Sequence, residues 1–433
     1  MTKINGKILS LFILCGFVIS SSAYGQNEEG KSGTVYSSYG SGLPLLNNTA
    51  QEKAMGIMGI SFNDLGSPGL ANPAFWGIGI YSRVAANFDF TSYSLKDSQA
   101  SGSNSLLKVG SFQAVFPISK NRLGMSIALY PETRSSYNVN SLQTLEIGTT
   151  SSEYFSNRTG TGGATKFEVG FGAKITKNIS IGYAPSYSFL TEKENETVFF
   201  IDGESSVNNV TERINGTSVS HRFGLLFNTK NVFNNNDAFQ IGATLTLPTS
   251  FDAKRKAETV KQVGEEVEIV QIGDEVNGEV SLPLKIGGGV SYFLSPKFNA
   301  SAEFQIEKWD EARYEFSTSE EMAFKNRNTY GFGFQYHPYK TNSSKFLSNF
   351  KYSAGISYDT GHLQIRNTDI ETLWFSAGLG LISPTFRSSS SFDLSFQYGL
   401  RGSVSNDLVK ENIFGINLSV NLTELMFLRR KLN

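Results

Sequence analysis

From about residue 78 onward, hydrophobic and polar positions alternate with a period of two rather than with the longer period of a helix. Phe350, Tyr352, Ala354, Ile356 and Tyr358 alternate with Lys351, Ser353, Gly355, Ser357 and Asp359. Phe392, Leu394, Phe396 and Tyr398 alternate with Asp393, Ser395 and Gln397, and Phe414 to Leu422 repeats the pattern against Gly415, Asn417, Ser419 and Asn421. Small or charged residues on one face and large apolar ones on the other match a barrel with a lipid-facing exterior and a wet lumen. A half-buried sheet of a soluble sandwich alternates in the same way.

Strand length and the connections separate the two. Extended segments are predicted near 78–94, 106–118, 122–135, 164–176, 178–192, 211–228, 237–252, 278–293, 297–312, 325–338, 347–360, 370–382, 390–402 and 411–427, about fourteen in all. A tilted strand of roughly 9–11 residues crosses a bilayer, whereas globular strands are typically about 5–6 residues long. Short connections such as Ser119-Lys120-Asn121, Thr176-Lys177-Asn178 and Ser295-Pro296-Lys297 are rich in turn formers. They alternate with longer polar stretches near 136–163, 193–210 and 253–277, read as loops, the last with the acidic Glu265, Glu266 and Glu268. Short turns at one end and long loops at the other predict an all-β, transmembrane antiparallel β-barrel of about fourteen strands. An even number of strands places both barrel termini on the short-turn, periplasmic side. No apolar run is long enough for a spanning helix, which leaves the closed barrel as the membrane architecture.

The first residues break the pattern. Lys3 and Lys7 precede an apolar run from Ile8 to Ile19, followed by Ser21-Ser22-Ala23-Tyr24-Gly25, the order of a secretory signal peptide cleaved after Gly25. Cys15, the only cysteine, lies within that run, so the mature chain is expected to carry no disulfide or thiolate chemistry. Residues 33–77 are rich in Gly, Pro, Asn and Ser, yet Leu43, Leu45, Leu46, Met55, Ile57, Met58, Ile60 and Phe62 make them too apolar for a disordered tail. The expected organisation is a signal peptide at 1–25, an N-terminal plug at 26–77 packed in the periplasmic mouth, and a barrel over 78–433.

Composition agrees, with Gly 42, Phe 34 and Tyr 18 against Pro 11. A net charge of -1 offers no global field for nucleic acid. Candidate chemistry is sparse. His221, His337 and His362 are too far apart in sequence to suggest a zinc ligand set, and no G-x-S-x-G nucleophile motif occurs. Gly287-Gly288-Gly289 lacks a phosphate-loop ending and is expected to relieve crowding at the wall. No enzymatic activity, cofactor or metal site is expected. Alternation places Arg83, Asp89, Glu168, Lys174, Arg222, Lys285, Glu303, Glu307, Lys351 and Asp393 in the lumen, with Trp374 also directed inward.

The chain resembles the FadL/TodX-type family of outer-membrane transport proteins, in its Bacteroidetes form. Ser38-Tyr39-Gly40, Ala54-Met55-Gly56 with Gly59, and Asn72-Pro73-Ala74 before the first strand carry the resemblance. So do Phe116-Pro117 with Arg122-Leu123-Gly124, Gly162-Gly163, Leu282-Pro283-Leu284-Lys285-Ile286-Gly287, Phe375 to Gly380, Tyr398-Gly399 with Arg401-Gly402, and Arg429-Arg430-Lys431. The resemblance implies a fourteen-stranded barrel closed by an N-terminal plug, with Asn72, Pro73 and Ala74 at the plug junction. It implies passive uptake of a hydrophobic small molecule, a long-chain fatty acid or similar, through the lumen or sideways into outer-membrane lipid. Related barrels also serve as scaffold or accessory parts of outer-membrane secretion and assembly complexes, so envelope proteins are the alternative partners. Pro131, Pro185 and Pro248 fall within or at the ends of candidate strands, where proline lacks a ladder donor. A break between Gly124 and Pro131 is therefore the candidate lateral opening.

Overall fold

The structure, a computed structural model, describes residues 33–425 apart from 65, 148–149, 201–205, 264–265, 317–321, 339–345 and 385–388. The expected signal peptide and the basic tail at Arg429 to Lys431 lie outside the described residues. Fourteen antiparallel strands form a closed barrel. They are β1 (Ser82–Lys96), β2 (Ser101–Ser119), β3 in two pieces (Leu123–Pro131 and Thr133–Ile147), β4 (Thr150–Lys174), β5 (Ile179–Phe200), β6 (Ser206–Lys230) and β7 in two pieces (Ala238–Thr246 and Thr249–Val263). Next come β8 in three pieces (Glu266–Ile272, Val276–Leu282 and Lys285–Ser295), β9 (Phe298–Glu307), β10 (Arg327–Tyr336), β11 (Phe350–Asp359), β12 (Thr372–Pro384), β13 (Ser389–Arg401) and β14 (Lys410–Glu424). Closure is made by β1 against β14, in register from Ser82↔Glu424 to Lys96↔Lys410.

The wall is inverted relative to a soluble protein. Phe392, Phe396 and Tyr398 are exposed while Asp393 and Ser395 between them are buried, and β14 repeats this with Phe414 and Leu418 outside and Asn417, Ser419 and Asn421 inside. Ile179, Ile181, Tyr183, Tyr187 and Phe189 continue the exposed apolar belt on β5. An apolar exterior of this height is stable against hydrocarbon and not against water.

One expectation is corrected. The stretches 136–163, 193–210 and 253–277 are largely strand rather than loop: Ser135↔Gly162 to Ile147↔Thr150 joins β3 to β4, and Lys193↔Arg213 to Phe199↔Val207 joins β5 to β6. The ladders run past the apolar belt. Beyond it both faces meet polar surroundings, so the backbone keeps pairing while the period-two hydrophobic signal disappears. The barrel thus has a short-turn end and a tall-hairpin end.

The segment 33–77 runs along the lumen and is not confined to the short-turn mouth. At the tall end Tyr36 packs with Leu363, Ile365 and Leu408 from the loops after β11 and β13. Leu43–Pro44 forms a two-residue strand on Arg134 and Thr133. Helix α1 (Ala50–Ala54) begins with a capping box between Thr49 and Glu52. The Pro73–Gly77 turn lies at the short-turn end against β4, β5 and β6. Wall glycines let this backbone approach: a Cβ on Gly333 or Gly355 would lie 2.0 Å from the Met55 carbonyl oxygen. Gly242 does the same beneath Ile60, whose carbonyl oxygen would lie 2.0 Å from a Cβ there. Gly355→Val should therefore displace the Met55–Gly56 turn at a cost of about 1–3 kcal/mol. The measurement is limited proteolysis in detergent: faster cleavage within 33–77 is expected, with the unheated electrophoretic mobility of the folded barrel unchanged.

Candidate functional site

Alternation carries polar side chains into the lumen, where most of them bind the luminal segment or one another. Glu303 on β9 accepts from Met58 N at 2.8 Å, Ile60 N at 3.1 Å and Ser61 N at 2.7 Å, and from Ser61 Oγ at 2.8 Å. Arg83 donates to the Ser67 carbonyl at 2.9 Å and the Ile78 carbonyl at 3.3 Å. Arg222 pairs with Glu168 at 2.5 Å and reaches the Ala71 carbonyl at 3.2 Å, while Tyr130 donates to Glu168 at 3.0 Å. Lys351 bridges Asp64 of the segment to Asp393 of β13. Asn72 donates to the carbonyls of Ile60 and Leu225 and accepts from Ala74 N, with Pro73 opening the following turn.

A second group joins Lys285 and Glu307, which alternation places in the lumen, to Glu132, Lys166 and Arg327, which are not among the sequence-derived candidates. Glu132, at the junction of the two pieces of β3, pairs with Lys285 at 2.5 Å and Lys166 at 3.3 Å. Lys285 continues to Glu307 at 3.8 Å, Glu307 to Arg327 at 2.8 Å, and Arg327 to Asp359 at 2.7 Å. This buried chain crosses from β3 to β11. Glu132 and Lys166 share the parity of Tyr130 and Glu168, so extending the alternation one step would have found them.

The network borders a cavity of about 220 Å³. Leu43, Leu45, Leu46 and Ile57 of the segment supply apolar lining, with Pro131, Lys108, Arg134, His362 and Trp374 around them. Trp374 is half-buried and lies over Gly399. Among the described residues neither Lys108 nor Arg134 forms an ion pair; Arg134 donates only to the Val109 carbonyl at 3.4 Å. The buried His362 stacks on Phe324 and meets Trp309 at a tilt, and burial holds its imidazole down to about 3, so it stays neutral. His221 and His337 are elsewhere, on β6 and after β10.

Beside this cavity the wall has an open seam. The first piece of β3 is paired to β2 from Leu123 to Leu129 and to β4 through Pro131. Gly124 is thus laddered on both sides, and its missing side chain serves close approach instead: a Cβ there would lie 1.9 Å from the Trp76 carbonyl oxygen. The break begins at Tyr130. Glu132 N donates to Ala164 O of β4, so the neighbouring Pro131 nitrogen points to the β2 side, where it has no hydrogen to give. Above it, among the described residues, no ladder joins Ser101–Ser111 of β2 to the second piece of β3. That edge is instead met by the luminal segment, through Leu43–Pro44 and through Gly33 N to Ser136 O at 3.1 Å. Leu107, Val109 and Leu129 flank the seam on the exposed face.

Glu52 offers a pH handle on the segment. Burial, then the nearby Glu303 and Asp64, push its carboxyl from 4.5 to about 8 against the lowering effect of the Thr49 hydrogen bonds, and Oε1 has no partner. A folded value above the unfolded one means that docking is fully retained below 4.5 and weakens as pH rises to about 8. Proteolysis of 33–77 should accelerate as pH rises from 4.5 to about 8 and should become flat over that range in Glu52→Gln.

A family model described as BamG matches residues 7–433. No curated protein is similar enough to the chain to match it. Among solved structures, a Pseudomonas aeruginosa FadL homologue is similar at 10% identity, covering 88% of this chain and 99% of that one with a TM-score of 0.60. The Ralstonia pickettii toluene transporter TbuX is similar at 15% identity, with 88% and 99% coverage and a TM-score of 0.55. The Pseudomonas putida toluene transporter TodX is similar at 14% identity, with 89% and 99% coverage and a TM-score of 0.55. At such identities the likeness is one of fold alone, that of the FadL-type barrel.

Proposed function

The chain belongs to the BamG family, and from its FadL-type barrel we propose an outer-membrane channel of a Gram-negative bacterium for passive uptake of hydrophobic small molecules, long-chain fatty acids or similar. Residues 26–77 are read as the plug, joined to the barrel at Asn72, Pro73 and Ala74, with 1–25 as its export signal and the tall hairpins outside the cell. The observation that carries the reading is the cavity beside the unpaired seam. Its lining sets the apolar Leu43, Leu45, Leu46 and Ile57 beside charged groups, of which Lys108 and Arg134 form no ion pair among the described residues, which suits an amphipathic anion, and the flank of the seam is apolar, which suits exit into lipid. The candidate lateral opening accordingly moves from Gly124 to the edge that starts at Pro131.

Pro131→Val adds a backbone N–H toward β2 and should slow uptake of a fluorescent fatty acid by several-fold in a complemented deletion strain, with barrel assembly intact. Uptake equal to wild type would remove the lateral route. A second reading is a non-transporting scaffold or accessory barrel of an envelope complex. What favours it is the anchoring of Met58, Ile60, Ser61, Asp64 and Ser67, since the contacts of Glu303, Lys351 and Arg83 to them must break before anything wide can pass. Purification in mild detergent separates the two. Stoichiometric partner proteins together with unchanged uptake in the deletion strain would establish the scaffold.

A further inference from the structure

A separate cavity of about 430 Å³ lies toward the tall-hairpin end, between Ser38–Gly40 of the luminal segment and the upper parts of β3 to β7. Four carboxylates border it, Glu192, Glu194, Glu196 and Glu212, against three cations, Arg158, Lys193 and Arg255. The partners are unevenly shared. Glu194 is held by Arg158 at 2.7 Å and by the Tyr137 hydroxyl at 2.5 Å, and Glu196 accepts from Ser156 at 2.8 Å. Arg255 stacks on the Phe316 ring at 5.6 Å. Glu192 is 8% exposed and receives the Tyr314 hydroxyl on Oε2 at 2.9 Å, but its Oε1 has no partner. Glu212 forms neither a hydrogen bond nor an ion pair among the described residues, and it stands directly opposite Glu194 in the β5–β6 register. Like charges facing each other across a ladder are destabilising. A buried acceptor without a donor is costly as well.

Both costs fall if a cation enters. No three His, Cys, Asp or Glu side chains among the described residues converge closely enough for a metal ion, and the volume exceeds what a bare ion needs. The remaining lining sets the aromatic Tyr39, Tyr137, Tyr314 and Phe316 beside small polar and aliphatic residues such as Ser135, Thr161 and Ile214. Tyr314 and Phe316 stand at 90° with centroids 6.2 Å apart, and Tyr137 also borders the cavity. Aromatic faces beside carboxylates attract an ammonium electrostatically and cover an apolar body. We propose that this cavity binds a small organic cation, a primary ammonium on an apolar or aromatic body, with Glu192 Oε1 accepting from the ammonium and Glu212 sharing its charge. The site is distinct from the seam cavity, and binding there does not depend on whether the barrel conducts.

The test is calorimetric titration of the detergent-solubilised full-length protein with 2-phenylethylamine, and with 2-phenylethanol as its uncharged counterpart. Saturable binding of one amine per barrel is expected, weakened about ten- to a hundredfold in Glu192→Gln, since a hydrogen bond to a charged group contributes about 1.5–3 kcal/mol. Glu212→Gln, at a more open position, should weaken it by several-fold and serves if Glu192→Gln fails to assemble. Absence of saturable binding at millimolar amine would overturn the proposal. So would binding unchanged in both variants, or phenylethanol binding as tightly as the amine.

Discussion

Glu303→Ala is expected to free the luminal segment while leaving the barrel closed. The carboxylate is the shared acceptor for three backbone N–H groups of the Met58–Ser61 turn and for the Ser61 hydroxyl. Each such bond to a charged group contributes about 1.5–3 kcal/mol, and the four do not add fully because one group makes them all. A loss of about 3–5 kcal/mol in docking is a fair expectation, enough to raise the undocked population more than a hundredfold. The β8–β9 and β9–β10 ladders pass through residue 303 by backbone alone, so they survive the change. Planar-bilayer recording should show frequent large openings where the wild type shows few, with heat-modifiable mobility retained. Conductance and protease resistance both equal to wild type would refute Glu303 as the main anchor. Glu303→Gln, which accepts without charge, should fall between the two.

Glu132→Ala should cost nearly as much, for the opposite reason. Among the described residues Glu132 is the one carboxylate bonded to both Lys166 and Lys285, and all three side chains are largely buried. Removing one member of a buried ion set strands the others, a penalty of about 3–5 kcal/mol. The damage should concentrate at the β3 junction, where Glu132 also lends its carbonyl to Leu45 N and where the seam begins. Hydrogen exchange is the direct measurement: amides of 133–147 should exchange at least tenfold faster, and those of β11 to β14 should be unaffected. A compensated variant, Glu132→Leu with Lys166→Met and Lys285→Met, should restore most of the protection, because an apolar replacement of the whole set leaves no stranded charge. Failure of that rescue would indicate that the carboxylate acts through more than its two lysines.

Period-two alternation, strand length and turn chemistry are local properties, and they were sufficient for the fourteen strands and the all-β class. Each strand from Ser82 to Glu424 overlaps a segment that alternation proposed. The bilayer imposes that legibility, since a wall residue must satisfy lipid on one side and the lumen on the other. Above the apolar belt the constraint ends, and for that reason the tall hairpins look like polar loops in sequence. Fold assignment also needed no knowledge of which polar residues meet. Pairing inside the lumen did, because Glu303 and Met58, or Glu132 and Lys285, are neighbours only after closure brings distant strands around one segment.

The same limit applied to glycine and proline. Gly124 and Pro131 read alike in sequence, as weak points of one strand, yet the first accommodates the Trp76 carbonyl and only the second borders the seam. Sequence by itself determined that this chain alternates, turns and exposes apolar side chains as a membrane barrel does. Which charges pair, where the luminal segment lies, and where the wall is unpaired were decided by tertiary structure. Those contacts join residues tens to hundreds of positions apart, and no local period encodes them.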